Sequence, residues 1–196
     1  MFYTDGMEGT ERRKGIDLLN ENLKVTFEIA PDALANLPIV SIEDKQTGRE
    51  RYRGLLGTVE RRGRGAAHLE IRGVYEAEQV DLDLYGFYRE GVEEVTYDAV
   101  AVREETHRIV AANKEFAGWR FVGDIHTHPT SGLAYPSEAD LRSMVAAYES
   151  GDFKPNEPYI FGIAAQRDDG EMEYNFYRMV RTRSDSGYGF KRLEHP

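Results

Sequence analysis

The residues best suited to chemistry lie together in Phe121 to Asp140, FVGDIHTHPTSGLAYPSEAD, which carries two of the chain's five histidines two residues apart. Trp119, Phe121, Val122 and Ile125 lead into them as a short apolar run, the pattern of a buried strand. Alternate side chains of a strand share a face, so His126 and His128 point the same way and make half of a metal site. Pro129 and Gly132 stop the strand, and a polar loop reaches Ser137, a good helix N-cap. Asp140 then sits at the third helical position, with Leu141, Met144, Val145 and Tyr148 following at helical spacing. Two imidazoles and one carboxylate, with a fourth position for water, form the ligand set of a hydrolytic zinc site, and a chain without cysteine has no thiolate alternative.

Each half of this pattern has an ordinary reading. A His-x-His pair on a strand is more often packed or exposed than ligating, and Pro-Ser-x-x-Asp alone is a capped helix start. Their succession in one strand, loop and helix gives the motif its force.

The segment closely resembles the JAMM motif of the JAB/MPN metalloprotease family, in which an upstream glutamate joins His-x-His-Pro and a later Ser-x-x-Asp. His126, His128 and Asp140 match the metal ligands, and Ser137 matches the site serine. The loop from Pro129 to the serine is one residue longer than the commonest family spacing. The family's glutamate stands seven residues before a glycine, as Glu50 stands before Gly57 in ERYRGLLG, which makes Glu50 the candidate base. The match is imperfect, because two residues rather than three separate Gly54 from Gly57, and Glu43 and Glu60 are the alternatives.

The resemblance implies a single JAB/MPN-like (cytidine-deaminase-like) domain with one Zn2+ per chain. It implies an isopeptidase or peptidase cutting after the C-terminal tail of a ubiquitin-like or sulfur-carrier protein. A carboxylate base beside a zinc site works because the ion brings the pKa of water from roughly 16 to about 7. Relatives that have lost their ligands act as scaffolds, and a RadC-like branch shares the Pro-Ser-x-x-Asp, so a non-catalytic interaction module or another amide hydrolase are the competing functions. The tail of a protein substrate could add as a strand beside the active-site sheet. Asp124, on the same strand face, could orient a ligand imidazole. His68, His107 and His195 have no spaced partner, Trp119 reads as packing and Tyr135 as a loop residue.

A hydrophobic content of 40% with 31% charged residues describes one soluble domain with a sizeable core. No apolar run has transmembrane length, MFYTDGMEGTERRKG lacks a hydrophobic signal region, and the expected location is cytoplasmic. The net charge of -10 disfavours nucleic acid as a partner. Arg61, Arg62 and Arg64 form the densest basic cluster and read as a solvated hairpin turn.

The elements that must position the motif read as an α/β (α+β) sheet flanked by helices, with residues 1–21 a polar arm, 22–181 the domain and 182–196 a tail. A short helical piece is expected around Ile16 to Leu19. Leu23, Val25, Phe27 and Ile29 alternate as a half-buried strand, and Pro31 opens a short helix. Glu43 to Gly48 reads as a polar turn or insertion. A hairpin follows, from the strand after Glu50 through RRGRG to Ala67–Tyr75, with two further strands expected near 80–88 and 92–96. Asp98 caps a helix striped with Ala99, Val102, Ile109, Val110 and Phe116 and stopped by Gly118. After the motif helix, which Gly151 ends, 159–165 and 172–179 pair around Asp169-Gly170.

Overall fold

The computed structural model describes residues 19–20, 22–63, 65–76, 99–151, 159–183 and 187–194. In chain order the elements are β1 (Lys24–Ile29), α1 (Pro31–Leu34), α2 (Ile42–Thr47), β2 (Tyr52–Arg61), β3 (Ala66–Glu76), α3 (Ala99–Ala112), β4 (Arg120–Thr127), α4 (Glu138–Glu149), β5 (Ile160–Gln166), β6 (Met172–Arg181) and β7 (Tyr188–Arg192). The strands form one seven-stranded mixed sheet in the order β1-β3-β2-β4-β5-β6-β7. β1 runs parallel to β3 and β4 parallel to β5, while the other neighbours are antiparallel. The protein is thus a mixed α/β fold with β4 at the sheet's centre.

Each sheet face buries its own cluster. Phe27, Leu55, Ile71, Val122, Ile125 and Ile160 pack on one side with Ala33 and Leu37 around α1. On the other, Phe121, Phe161, Ile163 and Tyr177 meet Met144, Val145 and Tyr148 of α4. Strict alternation would put Phe121 and Ile125 on one face, and a bulge explains why they part. β2 pairs Leu55 with Gly123 and Leu56 with Phe121, which leaves Val122 as an extra residue. Beyond it the phase flips, so Asp124 and His126, opposite Phe161 and Ile163, join the α4 face. Only glycine fits at 123, because a Cβ there would lie 1.9 Å from the Ile160 carbonyl oxygen.

Several expectations need correction. The stretch 43–48, read as a polar turn, is α2, whose N-cap Ser41 and third residue Asp44 form a capping box and whose C-cap Gly48 has φ 72°. Asp44 is fully buried and takes a hydrogen bond from Arg51 Nε at 2.8 Å, so a buried pair reaching just past the helix supports an element that has almost no apolar stripe. The helix expected to run to Phe116 ends at Ala112, and Lys114–Phe116 form a separate 3-10 turn. In the stretch read as a tail, β7 completes the sheet beside β6. The strands expected near 80–88 and 92–96, the Asp98 cap and the helical piece from Ile16 lie outside the described residues, save Leu19, which is buried in a turn. No described helix is long and apolar enough to cross a membrane.

Candidate metal centre

β4 delivers His126 and His128 at its C-terminal end, where both are buried. His128 extends the sheet pairing by donating its N–H to the Ala164 carbonyl at 2.8 Å. Their Nε2 atoms lie 3.0 Å apart. α4 brings the carboxylate, with Asp140 Oδ1 3.3 Å from His126 Nε2 and Oδ2 3.4 Å from His128 Nε2. The three side chains expected to ligate therefore converge on one point.

Asp140 also builds its own helix. Its backbone N–H donates to Ser137 Oγ at 3.1 Å and its Oδ2 accepts from the Ser137 N–H at 2.6 Å, the reciprocal capping box expected from sequence. Burial alone would raise the Asp140 carboxyl, but hydrogen bonds from His126, His128 and Ser137 hold it well below the usual carboxylate range. Burial pulls the His126 imidazole down, and Asp140 more than offsets this, so its pKa is raised. Ser137 itself is exposed. Its hydroxyl oxygen is used by the cap, yet a serine hydroxyl accepts and donates at once, so its proton is left for another acceptor.

Of the candidate bases, the structure brings Glu50 to the histidines: one ligand atom each from Glu50, His126 and His128 lie within 4.8 Å of one another. Glu43 is exposed on α2, and Glu60 is exposed near the far end of β2, accepting from Arg62 Nε at 3.1 Å. A latch holds the Glu50 segment in place. Arg51 N–H donates to Thr127 Oγ1 at 2.9 Å and the Thr127 N–H donates to the Arg51 carbonyl at 3.0 Å, tying the start of β2 to the end of β4.

Two aromatic residues not assigned to the site from sequence pack against His126. Tyr52 pairs with His126 across β2 and β4, and its ring stacks on the imidazole with centroids 4.8 Å apart and planes at 21°. Its hydroxyl donates to Glu50 Oε2 at 3.2 Å. Burial and the carboxylates of Glu50, Asp124 and Asp140 push that hydroxyl well above its ordinary range, so it remains a donor. Phe161 covers His126 from β5 at 5.0 Å. Tyr159 donates its hydroxyl to Asp124. The available signal for the first of these was that Tyr52 lies two residues after Glu50 in a stretch with the pattern of a strand start.

The hydrogen bond expected between Asp124 and a ligand imidazole is not formed. Asp124 Oδ1 and His126 Nδ1 are both buried without a hydrogen-bond partner among the described residues. Burial pushes the Asp124 carboxyl up to about 6, against the lowering effect of the Tyr159 hydroxyl. The other singled-out residues sit elsewhere: His68 bonds Thr26 Oγ1 at 2.9 Å, Trp119 stacks on Phe116 at 4.5 Å, and His107 is exposed. His195 lies outside the described residues.

The loop from His128 to Ser137 is pinned at one residue. The Ala134 carbonyl accepts from Tyr177 Oη at 2.8 Å and from Asn175 Nδ2 at 3.0 Å, while its neighbours Leu133 and Tyr135 are 57% and 54% exposed. An anchored backbone thus holds two apolar side chains in solvent.

The chain matches no protein-family model and no curated protein. It is similar to the solution structure of a protein from Salinibacter ruber (strain DSM 13855), at 21% identity over 86% of this chain and 91% of that one, with a TM-score of 0.40.

Proposed function

We propose that the chain is a zinc-dependent isopeptidase or peptidase of the JAB/MPN type, cutting the amide bond after the C-terminal tail of a ubiquitin-like or sulfur-carrier protein. The observation that carries this reading is the convergence of His126, His128 and Asp140: the two Nε2 atoms lie 3.0 Å apart, with Asp140 Oδ1 3.3 Å from the first and Oδ2 3.4 Å from the second. Ligands bound at about 2.0–2.1 Å in a tetrahedron stand about 3.3 Å apart, close to these separations, and two imidazoles with one carboxylate are the donors of a hydrolytic zinc site whose fourth position holds water, which supports the reading.

His126, His128 and Asp140 would hold the ion. When bound there, the ion would supply the Lewis acidity that makes a water acidic and an amide carbonyl electrophilic. Glu50 takes the proton released by the attacking water and returns it to the leaving amine, the reach of one hydrogen bond being the requirement for both transfers. Ser137 keeps its hydroxyl proton free to donate to the oxyanion that forms on the carbonyl, a contribution typically worth about 3 kcal/mol. β4 has a neighbour on each side, so a substrate tail does not add to it as a strand. The exposed Leu133 and Tyr135, on the loop between His128 and Ser137, offer that tail an apolar surface to lie along.

Zinc content and cleavage of a panel of ubiquitin-like fusions, measured on wild type, His128→Ala and Glu50→Gln, test the proposal. About one zinc per wild-type chain is expected, lost in His128→Ala together with cleavage. Glu50→Gln should keep its zinc and lose about 10^2- to 10^4-fold in rate, the usual worth of a general base. A folded wild type that binds no zinc overturns the site, and one that binds zinc but cuts none of the panel favours a scaffold.

A further inference from the structure

We propose that Tyr52 is a positioning residue that sets the Glu50 carboxylate against the metal ligands, an inference that rests on the function proposed above. Three observations meet at this one side chain. Its hydroxyl donates to Glu50 Oε2 at 3.2 Å. Its ring lies nearly flat on His126, 4.8 Å between centroids at 21°. Its backbone is registered opposite His126 in the β2–β4 ladder, and the Arg51–Thr127 latch fixes that register one residue away.

A glutamate has three side-chain torsions, and Glu50 stands two residues before the first residue of β2. The Arg51–Thr127 latch holds the backbone beside it, which by itself does not choose a rotamer for the carboxylate. The Tyr52 hydroxyl selects the one that faces the histidines. On its other side, the same ring fills the space into which the His126 imidazole would otherwise tilt, with Phe161 closing the opposite wall at 5.0 Å. Base and ligand are thus referred to one rigid group with only two torsions of its own.

The two halves of this role separate in two variants. Tyr52→Phe removes the hydroxyl and keeps the ring, so zinc affinity should stay within about threefold while kcat falls about 10- to 100-fold at unchanged KM, the worth of one hydrogen bond to a charged group. Its zinc-loaded crystal structure should show Glu50 turned away from the site or in several rotamers. Tyr52→Leu also removes the stacked ring and should bind zinc about tenfold more weakly, as supporting contacts to metal ligands do when lost, with a changed visible spectrum of the cobalt(II)-loaded protein. Glu50 in its original rotamer in Tyr52→Phe, or Tyr52→Leu with wild-type affinity and spectrum, overturns the proposal. If the wild type binds zinc and cleaves nothing, the enzymatic reading fails, and the Glu50 rotamer and metal affinity still decide the role of Tyr52. A wild type that binds no metal ends both.

Discussion

Asp44 is the residue on which the approach to the candidate site leans, although it touches no ligand. Its buried carboxylate accepts from Arg51 Nε and from the Ser41 N–H at 2.9 Å, and Arg51 is one half of the latch to Thr127. Burial would raise this carboxyl, but Arg51 and Ser41 bring it down to about 2. A carboxyl lowered by folding stabilises the native state above its unfolded pKa of about 4 and loses that contribution as pH falls through its folded value. The shift corresponds to about 2 kcal/mol. Asp44→Asn should therefore unfold at lower urea concentration at pH 7 by that amount, and the gap to wild type should close towards pH 2. A gap of equal size at both ends of that range would sink the assignment.

The elements show which parts of the structure could be read from residues alone. The convergence of the candidate ligands and the helix cap is local: His126 and His128 at the end of one strand, Ser137 and Asp140 in one helical turn, so spacing sufficed to bring these side chains together. Tyr52 escaped because its partner is set by register with a strand over seventy residues away, and that register passes through the Val122 bulge. The helix α2, IEDKQT, escaped because its caps and the Asp44–Arg51 pair specify it, and β7, YGFKR, because only pairing with β6 makes it a strand. Gly123 tests how far the bulge controls the site. Gly123→Ala puts a methyl into the Ile160 carbonyl and should cost about 3 kcal/mol or more in urea unfolding, with weakened zinc binding as β4 shifts. Gly170→Ala, at φ 89° with open space around it, should cost only about 1–2 kcal/mol of backbone strain and leave zinc binding unchanged.

Across the whole molecule, the candidate centre joins the residues just ahead of β2 to a second stretch over seventy residues on, the end of β4 and the start of α4. An ion that binds only the folded arrangement adds about 2.7 kcal/mol at a hundredfold excess over its Kd. For a chain of this size each kcal/mol moves Tm by about 2–4 °C, so zinc should raise Tm by about 5–11 °C. A chelator should reverse the rise, and His128→Ala should show neither change. The Asp140 carboxylate extends this coupling to a single backbone position. The oxygen that accepts the Ser137 N–H at 2.6 Å also faces His128 Nε2, so whatever fixes the carboxylate also fixes the first turn of α4. The amide hydrogen of Ser137 thereby becomes a clock for occupancy, exchanging with deuterated water more slowly when metal is loaded and faster after chelation. Ser41, whose N–H is held by Asp44 in a second capping box that supplies no ligand, keeps the same time in both states.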